Sequence, residues 1–108
     1  MSRFVTTLRT RHDAVVLAPS GASAVWTLRV QCAEAWDAVR VEVLADTRVR
    51  DMKHAAMQIL MPDVTAFDDY VVKLHGFDVL DEQQSVSAAG AIDGSTFLVI
   101  SRRRRAVR

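Results

Sequence analysis

The chain has 108 residues, half of them hydrophobic, with 14 Lys and Arg against 13 Asp and Glu and a single cysteine. That length suits one domain with tails, able to fold without a metal, and one thiol excludes an intramolecular disulfide and favours a reducing compartment. No apolar run approaches the ~18 residues of a membrane span, and the N-terminus lacks the continuous apolar stretch of a signal peptide, so a cytoplasmic protein is expected.

Residues 1–23 carry a net charge of +2 and read as a partly flexible N-terminal segment. Residues 4–8 and 14–17 are candidate short strands within it. Residues 18–23, Ala-Pro-Ser-Gly-Ala-Ser, form a linker of turn formers and small side chains.

Residues 24–101 are the expected domain. Here six basic side chains stand against twelve acidic ones, a net charge of −6, which argues against a nucleic-acid-binding surface on the fold. The first strand is 25–32, with Trp26, Leu28, Val30 and Cys32 on one face and Thr27, Arg29 and Gln31 on the other. Residues 33–37 are a turn, where Trp36 is a candidate exposed anchor for a partner. The second strand, 39–44, sends Val39, Val41 and Val43 inward and Arg40 and Glu42 outward, so the two form an antiparallel hairpin.

Asp46 and Thr47 are N-cap candidates for a helix of about 14 residues. Val49, Met52, Ala56 and Ile59 mark its buried stripe, flanked by Leu60, while Arg48, Arg50, Lys53 and Gln58 lie off it. Pro62 ends the helix by disfavouring the α conformation in the residue before it.

A loop, 64–69, leads to a third strand, 70–74, and His75-Gly76 is a turn signal. Val79 and Leu80 are expected in a short edge strand, and 85–90 in one helical turn. Asp93-Gly94 is a strong turn pair before the last strand, 96–100. If Val72, Leu74, Phe97 and Val99 point into the core, alternation puts Val71, Lys73, Leu98 and Ile100 on the open sheet face. The result is an apolar patch around a lysine and a candidate surface for a partner or a second copy.

The final seven residues add +5 through Arg102, Arg103, Arg104, Arg105 and Arg108. This electrostatic tail would attract polyanions, but no aromatic residue interleaves the arginines, so single-strand stacking is not indicated. Membrane contact would be peripheral only. His12, His54 and His75 share no ligand spacing, and neither a nucleophile–base constellation nor a glycine-rich phosphate loop is present. No enzyme activity, metal or cofactor is expected.

The ordered set resembles the ubiquitin-like superfamily over about residues 25–101: strand, strand, Asp46-Thr47, helix, strand ending near a glycine, Leu80-Asp-Glu, Val86 and a closing strand after Asp93-Gly-Ser-Thr. The resemblance implies an α+β, ubiquitin-like β-grasp fold, a mixed four- to five-stranded sheet packed on one main helix. The stretch Ser85-Val-Ser-Ala-Ala-Gly-Ala-Ile-Asp-Gly-Ser-Thr96 is closer to the bacterial ubiquitin-like component of type VII (ESX-type) secretion, with Ser95 where that branch carries an acidic residue. Conjugating members end in Gly-Gly, whereas these residues end Arg102-Arg-Arg-Arg-Ala-Val-Arg108, so conjugation through this end is not expected. By the same resemblance, Lys73 stands where ubiquitin has the central isoleucine of its receptor patch. A pocket built for isoleucine would bury an unpaired ammonium there.

The implied role is a non-enzymatic protein-interaction module, with a membrane secretion subunit or another copy of the chain as its partner. The rivals are a covalent modifier or sulfur carrier, and a basic-tailed protein docking on nucleic acid or membrane.

Overall fold

The computed structural model describes residues 14–18 and 24–102. Alternating apolar residues build two long strands, β2 (Trp26–Cys32) and β3 (Asp37–Val43), joined by a 3-10 turn at Ala33–Ala35. They pair antiparallel from Trp26↔Val43 to Cys32↔Asp37. Leu28, Val30 and Cys32 of β2 and Val39, Val41 and Val43 of β3 are buried on one face, as the alternation predicts. The last strand, β6 (Thr96–Ser101), runs parallel to β2 and antiparallel to β4 (Tyr70–Leu74), which makes β2 and β6 the central pair.

The one long helix among the described residues, α1 (Val49–Leu60), lies on the buried face, with Val49, Met52, Lys53, Ala56 and Met57 inside. It is 12 residues long and stops two residues before Pro62, where Met61 leaves the helical region at φ −138° and ψ 67°. Ile59, expected in the stripe, is only partly buried against the core, while Met57 is fully inside.

The N-terminus of α1 differs from the expected cap. Arg48 is the N-cap residue and has no side-chain cap. The free amides of Val49 and Arg50 donate instead to the carbonyls of Gln84 and Glu82, at 3.0 and 2.8 Å. The Thr47 hydroxyl accepts from the Leu44 amide at 3.0 Å and so ties the preceding bend. Main chain distant in sequence thus satisfies amides that Asp46 or Thr47 was expected to satisfy.

The edge strand also falls earlier than expected. His75 and Gly76 both have positive φ, 54° and 84°, the two-residue geometry that closes a tight hairpin. Pairing therefore resumes at once, and β5 is Phe77–Asp78, with Leu74↔Phe77 and Lys73↔Asp78. Val79 is buried, and its amide donates to the Val72 carbonyl at 2.8 Å. Asp93-Gly94 forms its turn with Gly94 at φ 92°, and the Asp93 carboxylate accepts the Thr27 amide at 2.7 Å, tying this corner to the start of β2.

One strand comes from the segment upstream of residue 24. Residues β1 (Ala14–Val16) lie parallel to β3, with Ala14↔Arg40, Val15↔Val41 and Val16↔Glu42. The sheet order is β1-β3-β2-β6-β4-β5. It is the expected mixed sheet on one helix, extended by a strand at the β3 edge. The other candidate strand, 4–8, lies outside the described residues.

Candidate protein-interaction face

The register places the four predicted face residues together. Val71 is opposite Ile100, Lys73 is opposite Leu98, and Leu98 is also opposite Gln31 of β2. All lie on the side of the sheet away from α1, because Val72, Leu74, Phe97 and Val99 fill the core. The patch is recessed, however. Val71 is only 7 % exposed, and Lys73, Leu98 and Ile100 are half-buried. These residues sit on central strands, where cross-strand neighbours shield one another. Lys73 is also engaged, its ammonium 3.7 Å from the Asp78 carboxylate across the β4–β5 pair.

Trp36 is the opposite case. It is 93 % exposed and closes the β2–β3 turn in the left-handed conformation, φ 55° and ψ 35°, with its amide donating to the Ala33 carbonyl at 3.2 Å. This hairpin position is the one glycine fills without strain. The Ala33–Ala35 turn packs beside β6, which brings the indole to the end of the sheet that carries Ile100. Sequence reasoning missed three further exposed apolar side chains, Phe77, Leu80 and Ile92. They follow from the early register of β5 and from the path of the turns, neither of which leaves a periodic signal.

Of the arginine tail, Arg102 lies within the described residues. It is exposed, and its guanidinium donates to the Asp68 carbonyl at 2.9 and 3.3 Å, which holds the start of the tail against the loop before β4. Arg103, Arg104, Arg105 and Arg108 lie outside the described residues.

No described side chains assemble a group of three or more His, Cys, Asp or Glu that would hold a metal ion. Cys32 is buried, and burial, reinforced by Glu34 and Asp37, pushes its thiol up to about 12. The thiolate that a nucleophile or metal ligand requires is therefore suppressed near neutral pH.

His54 stacks on Phe67, with ring centroids 4.2 Å apart and the planes 26° from parallel. Its Nε2 is buried without a hydrogen-bond partner. Burial first, then the charges of Arg50 and Lys53, lower its pKa below the usual 6.5, against the opposing pull of Glu82 and Asp51. The unfolded chain therefore takes up this proton at a higher pH than the folded one. Stability is complete above the ordinary histidine range and is lost as pH falls through about 6.5 toward the folded value. The urea midpoint of the native protein is expected to drop between pH 7.5 and 5.5, and His54→Gln to drop less. Parallel pH profiles would assign the effect to other groups.

Comparison with known proteins reaches the fold. No model of a protein family matches this sequence, and no curated protein matches it significantly. Solved structures do match. A ubiquitin-like protein from Trypanosoma brucei has 22% identity over 75% of this chain and 99% of that one, with a TM-score of 0.59. The ubiquitin of Caldiarchaeum subterraneum has 18% identity over 73% and 95%, with a TM-score of 0.61. The ubiquitin-like domain of an Arabidopsis thaliana protein has 17% identity over 76% and 82%, with a TM-score of 0.59. The chain has the ubiquitin-like β-grasp fold, of the α+β class.

Proposed function

We propose that this chain is a non-enzymatic, cytoplasmic protein-interaction module that presents Trp36, beside the outer face of β4 and β6, to a protein partner. The conformation and exposure of Trp36 carry the reading. A non-glycine residue in the left-handed region costs roughly 1–2 kcal/mol, and an exposed indole leaves a large apolar surface in water. The turn needs the left-handed backbone but glycine would supply it without strain, and the exposed indole buries nothing in the fold, so the contribution of this particular side chain lies outside the fold. Indoles are also the side chains most often found as energetic anchors of interfaces.

The partner suited to this surface has an apolar pocket for the indole and a rim that tolerates the neighbouring Glu34 and Asp37 carboxylates. Lys73, half-buried and paired with Asp78, makes the centre of the face unlike an isoleucine-centred one. The resemblance of residues 85–96 to the type VII secretion component makes a subunit of such an assembly the first partner class to test.

The test uses Trp36→Gly, which relieves the backbone strain. The variant is expected to fold with unchanged or slightly higher stability in urea titration. It should bind a partner recovered from the native host at least about 30-fold more weakly by calorimetry, the loss typical of a hot-spot anchor. Undiminished binding by this stable variant would sink the proposal.

A further inference from the structure

We propose that the chain self-associates head to tail, with Trp36 of one copy seated in the concavity between the β4–β5 hairpin and the Asp93-Gly94 turn of the next. This rests on the reading of Trp36 as an anchor and names a second copy of the chain as one partner for it. The receiving concavity has a volume of about 460 Å³ and is lined by His75, Ile92, Asp93, Gly94, Ser95 and Thr96. Its size is that of a small-ligand pocket. Ile92, 68 % exposed, supplies the apolar wall, and Phe77, 77 % exposed two residues after His75, adds apolar surface to the same hairpin. The wall is held in place. The Ile92 amide donates to the buried Ser95 hydroxyl at 2.9 Å, and the Ser95 amide donates back to the Ile92 carbonyl at 3.0 Å. Asp93 and Gly94 are both bonded to the Thr27 main chain. An incoming indole therefore meets a preformed surface and orders little on binding.

The two surfaces cannot meet within one molecule. Thr27, at the start of β2, holds the Asp93-Gly94 turn, while Trp36 closes the turn that follows the end of β2. The seven residues of β2 separate them by roughly 20 Å. A knob at one end of the sheet and a socket at the other join copies through two different patches. Such a contact is heterologous, so it grows as an open chain or closes as a ring. Charge fits the same pairing. Trp36 is next to Asp37 and two residues after Glu34. The socket offers the exposed His75, whose imidazole N–H is a donor, and beside it on the outer face the exposed Arg29, set opposite Thr96 by the register. The one acidic group in the lining, Asp93, already accepts the Thr27 amide at 2.7 Å. Complementary charge of this kind fixes orientation more than it adds affinity.

The test is made on the full chain. An indole buries about 150–250 Å², so the contact belongs with weak, transient interfaces and is read at high protein concentration. In sedimentation equilibrium up to about 1 mM, the native chain is expected to grow beyond a dimer as concentration rises. Trp36→Gly removes the knob, and Ile92→Asp puts a charge into the socket. Both positions are exposed and neither change deletes a main-chain bond, so both variants should fold. Each should weaken association at least about 30-fold. An equimolar mixture of the two is the deciding arm. Trp36→Gly still offers a socket and Ile92→Asp still offers a knob, so the mixture should form a dimer and nothing larger. A native chain that stays monomeric throughout overturns the inference but leaves the anchor reading standing, because the loss of partner binding by Trp36→Gly is measured separately. Association that either single variant keeps, or a mixture that stays monomeric while the native chain associates, overturns the head-to-tail contact.

Discussion

Lys53→Met is expected to destabilise the domain by about 2–4 kcal/mol, with a fall in melting temperature on the order of 10–20 °C. Lys53 is only 1 % exposed, in the middle of α1. Its ammonium donates to the Tyr70 carbonyl at 2.7 Å and to the Glu82 carboxylate at 3.0 and 3.2 Å. Methionine keeps the length and apolar stem of the side chain but removes all these donors. The Tyr70 carbonyl then loses its partner, and Glu82 is left as an uncompensated charge. Breaking a fully buried pair typically costs ~3–5 kcal/mol. The Glu82 side chain is 20 % exposed and regains part of its hydration, which sets the lower figure.

The same lysine links three elements, so the effect is cooperative. Glu82 also accepts the Arg50 amide through its main-chain carbonyl, and Tyr70 opens β4. The double variant Lys53→Met with Glu82→Leu should be less destabilised than the sum of the two single changes, because it leaves no lone charge. The cycle is read from urea unfolding. A loss under ~0.5 kcal/mol for Lys53→Met would mean that the pair contributes nothing net, as for an exposed pair.

Phe97→Ala carries the largest expected loss, about 3–5 kcal/mol. Phe97 is fully buried on a central strand, opposite Val30 of β2 on one side and Leu74 of β4 on the other. Truncation removes transfer energy and leaves a cavity that rigid strands on both sides close poorly. Domains of this size are stable by only ~5–15 kcal/mol, so the variant should lie near its folding threshold. Chemical denaturation at 25 °C measures the loss. Phe97→Leu should retain most of the stability, and equal losses for the two variants would contradict the cavity argument.

Both residues show where the sequence is legible. Phe97 reads as inward because it alternates with Leu98 and shares a face with Val99 in the strand after the Asp93-Gly94 turn. Lys53 reads as lying off the buried stripe, with Arg48, Arg50 and Gln58. Helical spacing contradicts that reading, since Lys53 lies four residues after Val49 and three before Ala56, on the same buried face; what the sequence leaves out is how its charge is satisfied. Its partners, Tyr70 and Glu82, lie 17 and 29 residues further along the chain, beyond the reach of any periodic pattern. The helix cap fails for the same reason, since the carbonyls that satisfy Val49 and Arg50 belong to residues 84 and 82.

The candidate face divides in the same way. Alternation alone placed Val71, Lys73, Leu98 and Ile100 on one side of the sheet. That Val71 is buried and the other three half-buried, with Trp36 fully presented, depends on which strands are central and on the left-handed turn at residue 36.

The sequence by itself determined what local periodicity and steric punctuation encode. It set the inward faces of β2, β3, β4 and β6, the helix that ends before Pro62, the turns at His75-Gly76 and Asp93-Gly94, and through their order the fold. The tertiary structure alone decided the partners of Lys53, the capping of α1 by the 82–84 main chain, the docking of β1 on β3 and the exposure of Trp36. The period of a strand or helix is set by its own backbone geometry. Hydrogen-bond partners, solvent exposure and edge coverage are set by what the folded chain brings alongside.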